Sequence, residues 1–138
     1  MRVCAYKLIT RFKGKAMQDL IKTMKALSDE TRLRILNLLL ERECCVCEVM
    51  QALDISQTRS SRNLGILQDA GFLKARREGL WIVYSIDWQA ANRYAISLAK
   101  LLKESPVRNE VLAQDKERLE HAKRIGPGCR QNKTKKIT

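Results

Sequence analysis

Residues 46–86 read VCEVMQALDISQTRSSRNLGILQDAGFLKARREGLWIVYSI, and this stretch decides the fold. Its beginning predicts a short helix, because apolar residues recur at the i, i+3, i+4 and i+7 spacing of one helical face: Val46, Val49, Met50 and Leu53. After a tight turn at residues 54–56, Ser56 is the candidate N-cap of a second helix over residues 57–70, which Gly71 ends. Two helices joined by so short a turn are typical of a helix-turn-helix.

A hairpin follows the second helix. Residues 72–77 and 81–86 are strand-like runs, and Gly79 lies in the turn between them. We therefore predict a mainly α fold with a small β-hairpin, a winged helix-turn-helix, whose second helix enters the major groove of double-stranded DNA. Polar residues of that helix suit base edges, and basic residues of the hairpin suit phosphates. The candidate DNA-binding residues are Ser56, Gln57, Thr58, Arg59, Ser61, Arg62, Asn63, Lys74, Arg76 and Arg77.

Helical spacing also predicts elements on both sides of this core. An apolar stripe indicates a helix over residues 17–27, and Ser28 is a candidate N-cap for a second, strongly apolar helix over residues 31–40. Helical spacing returns over residues 88–103. A polar, charge-rich helix is expected over residues 107–124.

These elements suggest four segments. The winged helix-turn-helix with its flanking helices spans residues 17–105, and the charged C-terminal helix spans residues 106–125. Residues 126–138 begin with Gly-Pro-Gly and continue as a Lys-rich polar stretch, which predicts a disordered basic tail. Residues 1–16 form a basic arm or a short extra helix, and Met17 is a second candidate start of the chain.

The charge of the chain points to an acidic polymer as partner. The 138 residues carry 27 Lys and Arg against 15 Asp and Glu, a net charge of +12. Most of that charge lies outside the middle, since residues 1–25 carry +6 and residues 26–87 carry −1. Nucleic acid is the first candidate partner and anionic lipid the second. No apolar stretch approaches the roughly 20 residues of a membrane span.

The five cysteines indicate a reducing compartment. Their number is odd, and three of them are clustered as Cys44, Cys45 and Cys47. A secreted disulfide-rich domain usually has an even number of cysteines at wider spacing. We therefore expect a cytoplasmic protein with reduced thiols. An enzyme is disfavoured because the chain has one histidine, His121, in a charged segment without a partner motif.

Four stretches resemble the ArsR/SmtB family of metal-sensing repressors. Residues 26–36 (ALSDETRLRIL) resemble its opening signature, residues 55–64 (ISQTRSSRNL) and 67–73 (LQDAGFL) its recognition helix, and residues 77–84 (REGLWIVY) its wing. Asn63 stands where the family usually has His. The resemblance implies a dimeric repressor, a homodimer built on the first helix and residues 88–103, which leaves its operator when an inducer binds.

The cysteine cluster resembles the arsenic-binding box of the arsenite-responsive branch of that family. Cys45 and Cys47 match the box, Met50 stands where its third cysteine would be, and Cys44 is an additional thiol. Trivalent arsenic or antimony needs only three thiolates, which Cys44, Cys45 and Cys47 would supply. As(III) or Sb(III) is thus the expected inducer, with Cys4 and Cys129 as more distant ligand candidates.

Helical geometry suggests how such a ligand would act as a switch. At about 100° per residue, Cys44 and Cys47 share one helical face while Cys45 lies nearly opposite. The ligand therefore bonds where the chain is not yet helical, or it unwinds the first turn of the helix. Distortion there would misplace the DNA-reading helix, so that ligand and DNA disfavour each other.

Two alternatives remain open. A repressor of the same fold would sense oxidants if Cys44 or Cys45 formed a disulfide. Acidic neighbours count mildly against a fast peroxide sensor, since they raise thiol pKa values: Glu41, Glu43 and Glu48. A nonspecific nucleic-acid-binding protein would use the basic ends and respond neither to DNA sequence nor to arsenite.

Overall fold

The computed structural model describes residues 2–125, with side chains from residue 15 onward. This part of the chain is mainly helical with one small antiparallel sheet, which confirms the predicted fold class. In chain order the elements are α1 (Arg2–Leu27), α2 (Glu30–Glu41), β1 (Cys44–Cys45), α3 (Val46–Leu53), α4 (Gln57–Asp69), β2 (Leu73–Glu78), β3 (Trp81–Ile86), α5 (Arg93–Glu104) and α6 (Glu110–His121).

The first helix begins earlier than its apolar stripe predicts. The stripe starts at residue 17, whereas the backbone is helical from Arg2 onward. Residues 2–16 contain no proline to interrupt the helical hydrogen bonds, so their backbone continues into the helix of the core. The expected tail over residues 126–138 lies outside the described residues.

The start of α2 is capped by a different residue from the one predicted. Asp29 is the N-cap, and its Oδ2 accepts a hydrogen bond from the backbone N–H of Arg32 at 3.0 Å. Ser28 instead donates its hydroxyl to the carbonyl of Met24 at 2.7 Å, at the end of α1. Ser28 and Asp29 are both residue types that favour the N-cap position. The carboxylate of Asp29 is also stabilised by the positive end of the dipole of α2.

The turn between α3 and α4 forms as the sequence predicts. Asp54 adopts a left-handed conformation with φ 54°, which ends α3 and reverses the chain. Ser56 then caps α4 by accepting a hydrogen bond from the backbone N–H of Arg59 at 3.1 Å. The inner faces of both helices are fully or almost fully buried in one core: Val49, Leu53, Leu64 and Leu67.

The sheet contains one strand that the sequence analysis missed. β3 lies in the centre, with β2 on one side and β1 on the other, all antiparallel. β1 is only two residues long and pairs Cys44 with Tyr84 and Cys45 with Val83. The cysteine cluster is therefore joined to the base of the wing by backbone hydrogen bonds.

Two asparagines set where α5 and α6 begin. The helix predicted from residue 88 starts at Arg93, because Asn92 is its N-cap and accepts from the N–H of Tyr94 at 3.1 Å. Asn92 also donates to Thr23 at 2.7 Å and to the carbonyl of Ala70 at 2.8 Å, which joins α1, α4 and α5. Asn109 caps α6 in the same way. Within residues 2–125 no helix has the length and apolar character to cross a membrane.

Candidate ligand site and DNA-reading face

Two of the three clustered cysteines come together at the start of α3. Cys45 is the N-cap of that helix, Cys47 lies in its first turn, and their Sγ atoms are 2.7 Å apart. Both side chains are fully buried, in a small cluster of their own against the indole of Trp81. We call Cys45 and Cys47 the thiol pair.

Cys44 does not join the thiol pair, which corrects the predicted three-cysteine site. Neighbouring residues of a strand point to opposite faces. The Cys44 side chain therefore lies in the main hydrophobic core, whereas the Cys45 side chain packs against Trp81 on the other face. The Cys44 thiol donates to the carbonyl of Arg42 at 3.5 Å instead. In the described part of the chain, no group of three or more His, Cys, Asp or Glu side chains is arranged to hold a metal ion.

The opposition of Cys45 and Cys47 expected for a continuous helix does not arise, because the helix begins at Val46 and Cys45 has extended backbone with φ −86° and ψ 169°. This geometry corresponds to the first of the two alternatives, in which the chain at the site is not yet helical. The extended N-cap turns the Cys45 side chain toward the first helical turn. The two sulfur atoms therefore meet without unwinding α3.

Glu48 fixes the conformation of this turn. Its Oε1 accepts a hydrogen bond from the backbone N–H of Cys45 at 3.0 Å, and the backbone N–H of Glu48 reaches the Cys45 sulfur. Arg42 lies 2.6 Å from the other carboxylate oxygen, and Arg124 lies 3.3 Å from Oε1. Burial acts to raise the pKa of Glu48, but the hydrogen bonds from Cys45 and Arg42 outweigh it and the pKa is lowered.

Burial keeps the free thiols protonated at neutral pH. It raises the pKa of Cys44 to about 12. It also raises the pKa of Cys45, against the opposing effect of the backbone N–H groups of Glu48 and Cys47. Cys44 and Cys45 are free thiols, whereas Cys47 is disulfide-bonded, so the two thiols of the thiol pair are both available only after that disulfide is reduced.

Residues 122–125, which follow α6, are held beside the thiol pair by hydrogen bonds and ion pairs. The sequence analysis did not predict these contacts. Gln51 donates to the carbonyl of Lys123 at 2.7 Å and accepts from its N–H at 3.1 Å. Trp81 donates its indole N–H to the carbonyl of Ile125 at 3.1 Å. Arg124 lies 3.3 Å from carboxylate oxygens of both Glu48 and Glu78. We call residues 122–125 the C-terminal strap.

The first turns of α4 present most of the predicted DNA-binding residues to solvent. The side chains of Ser56, Thr58, Arg59, Ser61 and Arg62 are exposed, and Gln57 is half-buried. On the wing, Lys74, Arg76 and Arg77 are exposed on β2. Arg59 is also tied to the core, because its Nη2 donates to the hydroxyl of Thr31 at 2.8 Å.

Asn63 does not lie on this exposed face, which corrects its predicted place among the base-reading residues. Its side chain is 4% exposed. Its amide nitrogen donates to the carbonyl of Arg59 at 2.9 Å, and its amide oxygen accepts from Arg32 at 3.1 Å. Asn63 therefore connects α4 to α2.

Arg76 is exposed but already paired with carboxylates. Its guanidinium bonds Glu43, with one N–O distance of 2.7 Å, and Glu78 at 2.9 Å. A phosphate would have to displace these groups. Glu43 directly precedes the cysteine cluster. The ion pair between Arg76 and Glu43 therefore links β2 of the wing to the residue just before β1.

A helix-turn-helix with an exposed second helix and a β-hairpin beside it defines a winged helix-turn-helix protein. The family described as "Bacterial regulatory protein, arsR family" matches residues 29–75. An NMR structure of a homodimeric winged helix-turn-helix DNA-binding domain from Mycobacterium bovis, titled a possible ArsR-family transcriptional regulator, has a TM-score of 0.57 and 32% identity. That match covers 67% of this chain and 82% of the other. The chain belongs to the ArsR family.

Curated relatives of this chain include two arsenic regulators. The chain is 39% identical to the arsenic resistance transcriptional regulator ArsR1 of Pseudomonas putida, over 56% of this chain and 64% of that protein. It is 46% identical to the arsenical resistance operon repressor of Escherichia coli, over 48% of this chain and 57% of that protein. The chain thus spans between half and two thirds of the length of these relatives.

Proposed function

We propose that this protein is a cytoplasmic, homodimeric transcriptional repressor that trivalent arsenic or antimony releases from its operator. It reads double-stranded DNA with α4 and the wing, and it acts by binding rather than by catalysis. The observation that carries this proposal is the thiol pair, since two sulfur atoms 2.7 Å apart match the preference of a soft metalloid for several sulfur ligands.

The position of the thiol pair explains how a ligand would reach the DNA-reading helix. Arsenic bonded to both sulfur atoms would impose its own distance between them, which moves the N-cap residue Cys45 relative to the first turn of α3. The first turn of α3 then shifts, and α3 packs directly against α4. Because the ligand site lies on α3 and the DNA-reading residues lie on the packed neighbour α4, binding of the ligand lowers the affinity for DNA, and binding of DNA lowers the affinity for the ligand by the same factor.

Exposed apolar side chains support assembly as a homodimer. Met17, Ile21 and Met24 lie on α1 with exposed fractions of 65%, 46% and 52%, and Leu101 of α5 is 54% exposed. Large exposed apolar residues grouped on two neighbouring helices are typical of a protein–protein interface. A symmetric dimer places two copies of α4 on half-sites about one or two helical turns apart in a pseudopalindromic operator.

The proposal is tested by the release of DNA from the reduced protein. A duplex selected by the protein from random sequence is labelled, and its fluorescence anisotropy is followed during titration with arsenite, antimonite, cadmium, zinc or peroxide. The protein is first reduced with a phosphine, because a dithiol would itself bind arsenite, and the phosphine is removed under an inert atmosphere before the titration because it would consume peroxide. We expect release by arsenite and antimonite, and loss of that release in Cys45→Ser and in Cys47→Ser.

Cys44→Ala is the matched control in this titration. Its thiol is buried in the separate main core, so the variant should still be released by arsenite. Failure of arsenite and antimonite to release the wild-type protein would refute the proposal. Binding that depends neither on DNA sequence nor on any added ligand would indicate a nonspecific nucleic-acid-binding protein.

A redox-sensing repressor is the second candidate, and the disulfide of Cys47 favours it. The free thiol of Cys45 lies 2.7 Å from that sulfur, close enough for thiol–disulfide exchange. The same titration separates the two functions. Release by peroxide together with indifference to arsenite in the reduced protein would support the redox sensor.

A further inference from the structure

Two arginines lie on the exposed face of α4, and one of them is anchored from outside the helix. Arg59 and Arg62 are both exposed in the first turns of α4. The Nη2 of Arg59 donates to the hydroxyl of Thr31 at 2.8 Å. Thr31 lies in the first turn of α2, 28 positions earlier in the sequence. A second helix therefore holds the guanidinium that α4 presents to solvent.

Thr31 is a rigid anchor for this side chain. It is only 6% exposed, and a β-branched side chain has few rotamers in a helix. The first turn of α2 is itself fixed by Asp29, whose carboxylate accepts a hydrogen bond from the backbone N–H of Arg32. Because α2 also packs directly against α4, the hydroxyl of Thr31 keeps a constant position relative to the start of α4.

The bond to Thr31 leaves most of the Arg59 guanidinium available to DNA. A guanidinium has five N–H donors in one plane, and Thr31 occupies one of them. Among the described residues no carboxylate pairs with Arg59, whereas Arg76 of the wing is bonded to Glu43 and Glu78. Two donors on one edge of a guanidinium match O6 and N7 of guanine in the major groove. Arg59 can therefore bind a guanine while it stays bonded to Thr31.

The position and the anchoring of Arg59 both favour a base contact. Arg59 is the third residue of α4, and the N-terminal residues of the second helix of a helix-turn-helix contact base edges. A free arginine side chain loses much rotamer entropy when a base fixes it. Arg59 has lost part of that entropy before DNA binds, because Thr31 already holds it. Anchoring therefore lowers the entropy that this contact costs.

We propose that Thr31 is a positioning residue for base recognition, which holds Arg59 so that it reads a guanine in the major groove. This inference rests on the proposed function, because it requires sequence-specific binding by α4. Thr31 acts only through the Arg59 guanidinium. A residue of α2 thereby contributes to the choice of operator.

The test separates base preference from overall affinity. Fluorescence anisotropy measures binding of the full-length reduced protein to the duplex that it selects from random sequence, and to a panel in which each base pair is replaced in turn. In Arg59→Lys, which keeps the charge but not the planar fork, preference for one G·C pair of each half-site should fall by at least about fivefold. The dependence of affinity on salt should stay the same, because no phosphate contact is lost.

Thr31→Val tests the anchor itself. It removes the hydroxyl at nearly constant shape, and preference at the same G·C pair should fall by about two- to tenfold, the range expected for one hydrogen bond. Thr31→Ser keeps the hydroxyl and should retain the preference. Combined with Arg59→Lys, Thr31→Val should have no further effect. Asn63→Ala is the matched control, since it removes another contact between α2 and α4 and should leave base preference unchanged.

The contrary outcomes are distinct from failure of the proposed function. Equal base preference in the wild type and Thr31→Val would overturn the role of Thr31, and so would an equal loss in Asn63→Ala. Unchanged base preference in Arg59→Lys would show that Arg59 reads no guanine. These results leave the proposed function intact, because the wild type still selects an operator. A wild type that prefers no DNA sequence would refute both the proposed function and this inference.

Discussion

The carboxylate of Glu48 accepts a hydrogen bond from the backbone N–H of Cys45 at 3.0 Å and thereby fixes the cysteine that caps α3. The same carboxylate bonds Arg42, which follows α2, and Arg124 of the C-terminal strap. The end of α2, the start of α3 and the C-terminal strap, 76 positions away in sequence, therefore meet at one side chain beside the thiol pair.

Glu48→Gln should destabilise the fold moderately. The amide oxygen still accepts from Cys45, but Arg42 and Arg124 lose their charged partner. We expect the free energy of unfolding to fall by about 1–2 kcal/mol, less than for a fully buried pair because water screens the exposed part of Arg42. Urea unfolding measures this change. Glu41→Gln, which removes the exposed partner of Lys116, should change stability by less than about 1 kcal/mol, and an equal loss in both variants would contradict the prediction.

The contribution of Glu48 to stability should depend on pH. Its pKa in the folded protein lies below the ordinary value of 4.5, so the unfolded chain binds the proton more tightly. The stabilisation is therefore fully present above pH 4.5 and is lost as the pH falls through the folded-state pKa. We expect the stability difference between wild type and Glu48→Gln to be constant at neutral pH and to shrink in acid. A difference that grows in acid would show that the shift has the opposite sign.

Asn63→Ala should weaken the fold and leave base preference unchanged. Asn63 is buried and bonded to Arg32 and Arg59, so its loss should cost about 1–2 kcal/mol of unfolding free energy. The comparison is Arg62→Ala on the exposed face of α4, which should weaken operator binding by about 1–3 kcal/mol. Binding to a panel of single-base operator variants measures preference. A changed preference in Asn63→Ala would place that residue among the base readers.

Arsenite and cadmium should differ in the pH dependence of their binding. Burial raises the pKa of Cys45, so at neutral pH its thiol is protonated in the reduced protein. Neutral arsenous acid carries each thiol proton away as water, whereas a cadmium ion must displace it into solution. Between pH 6 and 8 we therefore expect a constant arsenite affinity and a cadmium affinity that rises with pH. Arsenite affinity that rises as steeply as cadmium affinity would mean that the thiol protons go to solvent.

The helix-turn-helix and the wing could be predicted because their signals are local. Apolar spacing, the Ser56 cap and the glycine of the hairpin turn each act within a few residues. The two-residue strand at Cys44 and Cys45 has no periodic signal of its own, because it forms only by pairing with β3. That pairing separates Cys44 from Cys45, so the site could not be placed correctly from helical geometry alone.

Long-range polar contacts were the other part that sequence could not supply. Asn63 looks like a surface residue in a polar segment, and only its contact with Arg32, 31 positions away, explains its burial. The bidentate pair between Arg34 and the fully buried Asp115 joins α2 to the helix that the sequence predicts only as polar and charge-rich. The contacts of the C-terminal strap likewise span more than 40 positions of sequence.

The most direct test of the account is the reciprocity between the two sites. The dissociation constant of arsenite is measured for the reduced free protein and for the same protein saturated with operator DNA. We expect DNA to weaken arsenite binding by the same factor by which arsenite weakens DNA binding, because both ligands act through one coupling free energy. Equal arsenite affinity with and without DNA would show that the thiol pair is not coupled to the DNA-reading helix and would contradict the central claim.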